Sequence, residues 1–320
     1  MTPILDAPIA SPAAWLGVDL RDPSSWTYLL SAAQAAEIEA AVRTAKQAGK
    51  ATATLTREDF PLPTLAVEAR GWAQTLDRGR GFVMLRGFPS NALGKEDAAL
   101  AYFGLGLHLG TPVPQNARGE LFCHVTDHRV ARTGPEVRQY MTREKQDFHT
   151  DGADVIGLLC LRRAKAGGLS RIVSSVSVYN EILRQRPDLV PLLYQPVSFL
   201  GEFLFELPIC SVHEGRLRTF YIGWYIRDAQ ARPEVPRLSA AQSDLLELIE
   251  SIANDPRFYL DMDFEEGDIQ LLNNASILHA RTAYEDYDEP ERRRHLLRLW
   301  LSPHDFSSVE PTLARGVPLP

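Results

Sequence analysis

Residues 147–161 read DFHTDGADVIGLLCL, and this stretch decides how the chain folds. The apolar run at 155–161 has the length of a buried strand. His149 and Asp151 stand two residues apart just before that run. Because alternate residues of an extended chain point to the same side, the imidazole and the carboxylate can bind one metal ion. The stretch therefore predicts a buried strand whose entrance offers two metal ligands.

A third ligand must come from elsewhere in the chain. The other informative stretch, at residues 265–301, reads EEGDIQLLNNASILHARTAYEDYDEPERRRHLLRLWL. Gly267 and Asp268 predict a turn, residues 269–272 a strand, and His279 ends the next short strand. Two histidines and one carboxylate on a triangular face leave the opposite face open, which suits an Fe(II) enzyme that admits a co-substrate and O2. A His-x-Asp pair alone is common by chance, so the prediction depends on this second stretch.

The same stretch ends with two arginines, Arg294 and Arg298, which are four residues apart and share one face of a predicted strand. Leu296 and Trp300 alternate onto that face. One interpretation is a solvated edge strand or a nucleic-acid patch. The other is bidentate capture of a small carboxylate inside a barrel, which the planar guanidinium group favours.

Beyond residue 145 the chain reads as short strands separated by Gly and Pro turns. The predicted strands are 155–161, 171–174, 197–200, 217–222, 258–264, 269–272, 277–279 and 295–301. Two helices are predicted among them, at 178–186 and 240–253. This pattern is typical of an antiparallel barrel or sandwich.

The first 80 residues read as mainly helical, and Ser31 with Gln34 forms a capping box ahead of an Ala-rich helix. The other early elements are a helix at 65–76, a short strand in GFVMLRGFP at 81–89, a helix at 95–108 and an irregular loop in LGTPVPQN at 109–116. Helices followed by many strands predict an α+β fold. Because no Pro-, Gly- or Ser-rich linker divides the chain, we predict one domain over residues 1–320.

Composition excludes several classes of protein. The chain has 320 residues, a formal net charge of −7 and a pI near 5.7, with no basic cluster suited to nucleic acid. Cys123, Cys160 and Cys210 are too few and too far apart for a disulfide framework and suit a reducing compartment. The sequence shows neither a secretory leader nor a membrane span. We expect a cytoplasmic protein with a small-molecule substrate, no nucleic-acid or membrane partner, and a homo-oligomer as one alternative.

Taken together, these motifs resemble the taurine dioxygenase and clavaminate synthase-like family. The resemblance rests on His-x-Asp, a histidine more than a hundred residues later, and an R-R-x-x-x-R strand 14 to 19 residues beyond it. The further matching segments are GFVMLRGFP, LGTPVPQN, AGGLSRIVSS and GDIQLLNN. The similarity extends from about residue 81 to residue 303 and leaves the N-terminal part unexplained.

The resemblance implies a role for each matching residue. The implied iron ligands are His149, Asp151 and His279. Arg294 corresponds to the arginine that pairs with the distal carboxylate of 2-oxoglutarate, and Ser170 to a hydroxyl group that assists it. Arg298 corresponds to a second arginine, which in relatives contacts either the co-substrate or an acidic group of the substrate. The alternative is that Arg298 binds 2-oxoglutarate and Arg294 has the second role.

The implied fold is a double-stranded β-helix, or jelly roll, with a long insertion between the fourth and fifth core strands. Residues 187–255 would supply part of a substrate lid. The implied activity is oxidation of a C–H bond of a small organic or amino-acid-like molecule with Fe(II), 2-oxoglutarate and O2, releasing succinate and CO2. Retention of the carboxylate ligand Asp151 favours hydroxylation over halogenation, with desaturation and ring formation as the remaining alternatives. The alternatives are a cupin-type metal enzyme that does not use 2-oxoglutarate and a binding protein without turnover.

Other polar and aromatic residues have structural interpretations. We expect Arg86 in a buried ion pair and His108 as a hydrogen-bonded core residue. His124 and His128 are four apart, but no third ligand lies near them in the sequence, so a structural role is favoured over a metal site. Five residues could line the substrate pocket or belong to the core: Asp127, Tyr140, Tyr221, Trp224 and Tyr225.

Overall fold

The computed structural model describes residues 4–116, 118–129, 141–201, 203–304 and 306. The helices in these residues are α1 Ala32–Gln47, α2 Leu65–Arg78, α3 Ser90–Gly106, α4 Ser175–Gln185, α5 Gly223–Ala229 and α6 Ala240–Ala253. The strands are β1 Thr27–Leu29, β2 Phe82–Arg86, β3 Gly110–Pro112, β4 Phe122–Val125, β5 Gln146–His149, β6 Val155–Arg162, β7 Ala166–Gly167, β8 Ser170–Ser174, β9 Pro196–Leu200, β10 Leu204–Pro208, β11 Cys210–His213, β12 Arg216–Thr219, β13 Tyr259–Met262, β14 Ile269–Asn273, β15 Ile277–Arg281, β16 Tyr284–Glu285 and β17 His295–Pro303. None of these helices has the length and apolar character needed to cross a membrane.

Two sheets form the centre of the molecule. The larger has the strand order β1-β2-β14-β6-β17-β3, with β4 also paired to β17. Every pairing within it is antiparallel except that of β1 with β2. The smaller sheet has the order β13-β8-β15-β5 and is antiparallel throughout.

The alternation of side chains along the strands places one apolar cluster between the two sheets. This inner cluster takes residues from both sheets, among them Phe82, Ile156, Ile172, Ile277 and Trp300. The opposite face of the larger sheet packs against α1, α2 and α3 through a second cluster. A third cluster joins the outer face of the smaller sheet to α4 and α6. Two facing antiparallel sheets with helices outside them form the predicted jelly roll.

The N-terminal segment, to which the sequence assigned no role, contributes to the inner cluster. Trp15 and Trp26 are buried there beside Phe82. Each indole N–H donates to a backbone carbonyl group, that of Arg80 for Trp15 and that of Leu20 for Trp26. The aromatic rings bury large apolar areas while their polar atoms stay satisfied. The segment before α1 is therefore part of the barrel core.

A long insertion separates β8 from β13 and contains α4, the strands β9 to β12, α5 and α6. Its apolar side chains pack on the outer face of the smaller sheet, where Val173 and Leu278 meet Val178, Ile182 and Ile249. The insertion contains the segment 187–255, whose role as part of a substrate lid stays a prediction.

Most of the predicted elements are present, with shifted ends. The Ser31 capping box forms as predicted, since Ser31 Oγ accepts from the Gln34 N–H and Gln34 Oε1 accepts from the Ser31 N–H. The helix predicted from residue 95 begins at Ser90 and is interrupted at Gly94, where φ is 73°. Glycine adopts such a positive φ at little cost. Because the helix is interrupted at Gly94, its regular pattern in the sequence is clear only after that residue.

Two predictions about the elements were wrong in detail, and a third was incomplete. The segment at 109–116 is not wholly irregular, because it contains β3, which pairs with β17. The strand predicted at 217–222 ends at Thr219, and Ile222 forms only an isolated bridge to His149. The mainly helical N-terminal part also contains β1, which pairs with β2. In each case a distant pairing partner decides the structure, and local periodicity does not report such partners. The interpretation as a single domain stays a prediction.

The ion pair predicted for Arg86 joins the turn before β14 to β2. Arg86 donates from Nε and from one terminal nitrogen to the two carboxylate oxygens of Asp268, at 2.9 and 2.7 Å. Asp268 also accepts from the Glu265 N–H at 2.8 Å, and its side chain is fully buried, whereas that of Arg86 is 32% exposed. Bidentate pairing of this kind stabilises a buried carboxylate.

Asp268→Ala should lower the free energy of unfolding by about 3 kcal/mol, because it removes the acceptor of the Glu265 N–H and of two nitrogens of Arg86, which keeps only its pair with Glu265. Asp263→Ala is the matched control. Its pair with Arg163 is exposed on both sides, so its effect should stay within about 0.5 kcal/mol. Denaturant unfolding of both variants measures the difference, and equal midpoints would contradict the structural role of Asp268.

Candidate metal centre

The three predicted metal ligands converge between the two sheets. One ligand atom from each of His149, Asp151 and His279 lies within 4.8 Å of the others. The carboxylate oxygens of Asp151 lie 3.9 Å from His149 Nε2 and 3.8 Å from His279 Nε2. His149 ends β5 and is the direct cross-strand partner of His279 on β15. The pairing of these two strands therefore brings together residues that are far apart in the sequence.

Each imidazole presents Nε2 to the centre of the triad. Nδ1 of His149 lies 2.8 Å from the Asp147 carbonyl oxygen, to which it donates, so Nε2 is left with its lone pair. Burial lowers the pKa of His149, and burial together with the neighbouring His149 lowers the pKa of His279 to about 3. Both rings are consequently neutral near pH 7 and able to act as donors to a metal.

The Asp151 carboxylate is oriented by two donors from β17. A terminal nitrogen of Arg298 lies 3.0 and 3.3 Å from its oxygens, and the Trp300 indole N–H donates at 3.0 Å. Burial by itself raises the pKa of Asp151, but Arg298, the two histidines and the Trp300 hydrogen bond together hold that pKa below its ordinary value. The carboxylate is ionised although it is buried.

The loop that carries Asp151 is fixed by the side chain of Asn274. Its amide oxygen accepts from the Asp151 N–H at 2.8 Å, and its amide nitrogen donates to the carbonyl groups of Asp151 and Ala153. Asn274 lies in the matching segment GDIQLLNN, but its role was not predicted. It becomes visible only when β14 and the loop are brought together.

This donor set fits Fe(II). Two neutral imidazoles and one carboxylate on one side of a buried space are the ligands of many non-haem iron oxygenases. His279 Nδ1 is buried and has no hydrogen-bond partner among the described residues.

The residues predicted to bind 2-oxoglutarate lie in the same interior. Arg294 is 4% exposed, and one of its terminal nitrogens has no partner among the residues that the structure describes. Gly168, two residues before Ser170, has a φ of 72°, and a Cβ atom there would lie 3.1 Å from Arg294 Nε. The Ser170 hydroxyl group donates to Gln270 Oε1 at 3.0 Å. These co-substrate roles stay predictions.

Arg298 forms more hydrogen bonds with other protein groups than the sequence suggested. Besides its contact with Asp151, its Nε donates to Gln115 Oε1 at 2.8 Å. Gln115 in turn donates to the backbone carbonyl groups of Arg298 and Leu121. Arg298 therefore orients a metal ligand, a contact that spacing along β17 could not reveal. Whether it also contacts a substrate stays a prediction.

Of the predicted pocket residues, Trp224 contacts a histidine of the triad. Its ring packs edge-on against that of His149 with centroids 5.0 Å apart. The position is set by the backbone, since the Thr150 N–H donates to the Tyr221 carbonyl group and Ile222 bridges His149. A residue of the insertion thereby reaches the metal site.

The other pocket candidates divide among several environments. Tyr221 is buried in the third cluster, and its hydroxyl group donates to Glu250. Tyr225 packs against Trp224. Asp127 is buried and accepts from the Arg129 N–H. Tyr140 lies outside the described residues.

His108 and His124 have structural contacts, as expected. His108 Nε2 lies 2.8 Å from the Phe60 carbonyl oxygen. His124 lies on β4 rather than on a helix, and its Nδ1 is 2.8 Å from His295 Nε2.

Comparison with known proteins agrees with this geometry. A family model described as taurine catabolism dioxygenase TauD, TfdA family matches residues 46–300. FR-33289 synthase from Streptomyces rubellomurinus is 32% identical over 94% of this chain and 92% of its own length. The taurine hydroxylase-like protein SAT17 from Stachybotrys chartarum is 31% identical over 89% of this chain and 77% of its own.

Solved structures with similar folds are much more distant in sequence. An asparagine oxygenase in complex with Fe(II), 3-hydroxyasparagine and succinate aligns with a TM-score of 0.68 at 14% identity, covering 86% of this chain and 93% of that one. The non-haem iron oxygenase OrfP, in complex with Fe, succinate and 3-hydroxyarginine, aligns at 0.66 and 12% identity, covering 86% and 94%. These alignments show a shared fold. The extent of the family match and the identity to the curated relatives show more: the chain belongs to the TauD/TfdA family of dioxygenases.

Proposed function

We propose that the chain hydroxylates a C–H bond of a small organic or amino-acid-like molecule, with Fe(II) bound by His149, Asp151 and His279. The observation that carries this proposal is the convergence of two neutral imidazoles and one ionised carboxylate within 4.8 Å in the interior of a jelly roll. Because the chain belongs to the TauD/TfdA family, it is a 2-oxoglutarate-dependent dioxygenase. This membership favours the proposed hydroxylation over the cupin-type alternative.

When bound, Fe(II) and 2-oxoglutarate supply the oxidising chemistry, in which O2 converts 2-oxoglutarate to succinate and CO2 while a substrate C–H bond is oxidised. The protein groups position these reactants. His149 and His279 offer neutral nitrogen donors, and Arg298 with Trp300 keeps Asp151 ionised and aimed at them. Trp224 packs edge-on against His149 and supports the orientation of its ring.

In our proposal Arg294 binds the distal carboxylate of 2-oxoglutarate, with Ser170 beside it. Support comes from the burial of Arg294 and from its unpartnered terminal nitrogen among the described residues. A buried guanidinium without an anion is costly, so this position suits a carboxylate ligand. The substrate would enter from the side of Trp224, where the insertion meets the triad.

The proposed substrate class draws on the fold relatives, whose structures contain hydroxylated asparagine and arginine.

A cytoplasmic location is likewise proposed, because Cys123, Cys160 and Cys210 are all unpaired thiols. Burial raises the pKa of Cys160 and that of Cys210 to about 12, which makes both thiols poor nucleophiles.

The first experiment adds Fe(II) and then 2-oxoglutarate to the purified protein under anaerobic conditions. A weak visible metal-to-ligand charge-transfer band should appear and should fade as succinate forms when O2 is admitted. Iron binding without the band would move the cupin-type alternative to first place. Failure to bind Fe(II) would favour a binding protein without turnover.

His149→Ala should abolish turnover and weaken Fe(II) binding by more than about 100-fold, since it removes a direct donor rather than a supporting group. His304→Ala is the matched control, because this exposed histidine lies outside the triad. Anaerobic iron titration and succinate release measure both variants. Undiminished iron affinity in His149→Ala would refute the assignment of this ligand.

Arg294→Ala should raise the dissociation constant of 2-oxoglutarate by about 10- to 100-fold, the effect of losing one charged hydrogen-bond pair. Arg298→Ala should instead weaken Fe(II) binding, because Asp151 loses its cationic partner. Titration of the charge-transfer band separates the two effects. If only Arg298→Ala weakens 2-oxoglutarate binding, the roles of the two arginines are exchanged.

A further inference from the structure

Arg281 is a buried cation that the proposed mechanism leaves unused. It lies on β15 two residues beyond His279, which is a step of about 7 Å along a strand. Ile277 belongs to the cluster between the sheets, whereas Leu278 and Ala280 belong to the cluster on the outer face. By this alternation His279 and Arg281 both point into the barrel.

The guanidinium group of Arg281 is only partly satisfied. One terminal nitrogen donates to the backbone carbonyl groups of Thr142 and Glu144, at 2.7 and 2.5 Å. Nε and the other terminal nitrogen have no hydrogen-bond partner within the described ranges, although Arg281 is only 6% exposed. These N–H groups require an acceptor, because burying them without one costs free energy.

A second incompletely satisfied guanidinium group, that of Arg294, lies beside the first. Arg281 and Arg294 lie 4.9 and 5.2 Å from the centre of the Tyr284 ring. The two cations are close enough to repel each other. Two buried like charges with unused donors indicate that an anion normally lies between them.

The neighbouring carboxylates do not provide that anion. Asp286 uses one oxygen to accept from the Arg294 backbone N–H at 2.8 Å, and its other oxygen is buried without a hydrogen-bond partner among the described residues. Asp127 accepts from the Arg129 backbone N–H at 2.8 Å. No acidic side chain in the described part of the chain forms an ion pair with either guanidinium group. The acceptor is therefore expected to be a ligand.

The position of the pair relative to the triad identifies the ligand. Ser170 on β8 is the direct cross-strand partner of Arg281, and Gly168 packs against Arg294. A hydroxyl group and two guanidinium groups thus lie near one another, and Arg281 is one strand step from His279. A dicarboxylate whose keto-acid end is at the metal would extend its other end toward these groups.

We propose that Arg281 binds the distal carboxylate of 2-oxoglutarate together with Arg294, so that two guanidinium groups hold this end of the co-substrate. The inference rests on the proposed function, since it requires 2-oxoglutarate at the triad. Arg281 is then a selectivity residue for a dicarboxylate co-substrate, and its contacts with the carbonyl groups of Thr142 and Glu144 fix its direction.

The test uses two keto acids that share the chelating end. 2-Oxoglutarate carries a distal carboxylate, whereas 2-oxovalerate ends in a methyl group. Each keto acid is titrated into the Fe(II)-loaded protein under anaerobic conditions. The charge-transfer band reports how much of it is bound. Arg281→Gln should weaken 2-oxoglutarate binding by about tenfold or more and change 2-oxovalerate binding by less than about twofold.

Arg171→Gln is the matched control, because this arginine neighbours Ser170 on β8 but pairs with Asp261 away from the interior. It should bind both keto acids as the wild-type protein does. Should Arg281→Gln fail to fold, Arg281→Lys replaces it, since lysine keeps the charge but loses the planar fork. The lysine variant should show a smaller loss that is again confined to 2-oxoglutarate.

Three other outcomes overturn the inference. Equal losses for both keto acids, or a loss of Fe(II) affinity, would mean that Arg281 only supports the segment before β5. Unchanged binding of both keto acids would mean that Arg294 acts alone. Absence of the band in the wild-type protein would instead refute the proposed function, which keeps the two failures distinct.

Discussion

The ionised state of Asp151 is the condition on which the rest of the site depends. This buried carboxylate lies between two histidines and receives hydrogen bonds from Arg298 and Trp300, two residues apart on β17. Without those donors, a buried carboxylate would be driven toward its protonated form, which is a poorer metal ligand. The same bonds join the loop before β6 to β17. The hydrogen bonds that keep Asp151 ionised therefore also stabilise the larger sheet.

The smaller sheet imposes a second constraint, that of register. His279 lies opposite His149 on one side and opposite Ile172 on the other. A slip of one residue would turn His279 and Arg281 to the outer face and bring Leu278 inside. Ile277 and Ile172 in the inner cluster oppose such a slip, because it would expose buried apolar surface. Apolar packing thus keeps the polar groups of the site in place.

The sequence predicted those features that local spacing encodes. The two-residue spacing of His149 and Asp151, the apolar runs of the strands and the capping box at Ser31 all appear in the structure. The contacts it could not reveal join distant segments: Arg298 to Asp151, Asn274 to the loop at 151–153, and the N-terminal tryptophans to the barrel core. No periodicity reports such contacts, since they exist only after the sheets have formed. Family resemblance supplied the jelly roll and the place of the insertion, but not these supports.

The position of β17 has a consequence for how the protein is made. This strand is synthesised well after β6, yet it lies beside β6 within the larger sheet, paired with β6 on one side and with β3 and β4 on the other. Until the ribosome has released it, β6 keeps an open edge, and Asp151 has neither of its donors. Unpaired edges in a nascent chain invite aggregation, and long-range pairing is slow. The barrel can therefore close only after the whole stretch from β2 to β17 has left the ribosome.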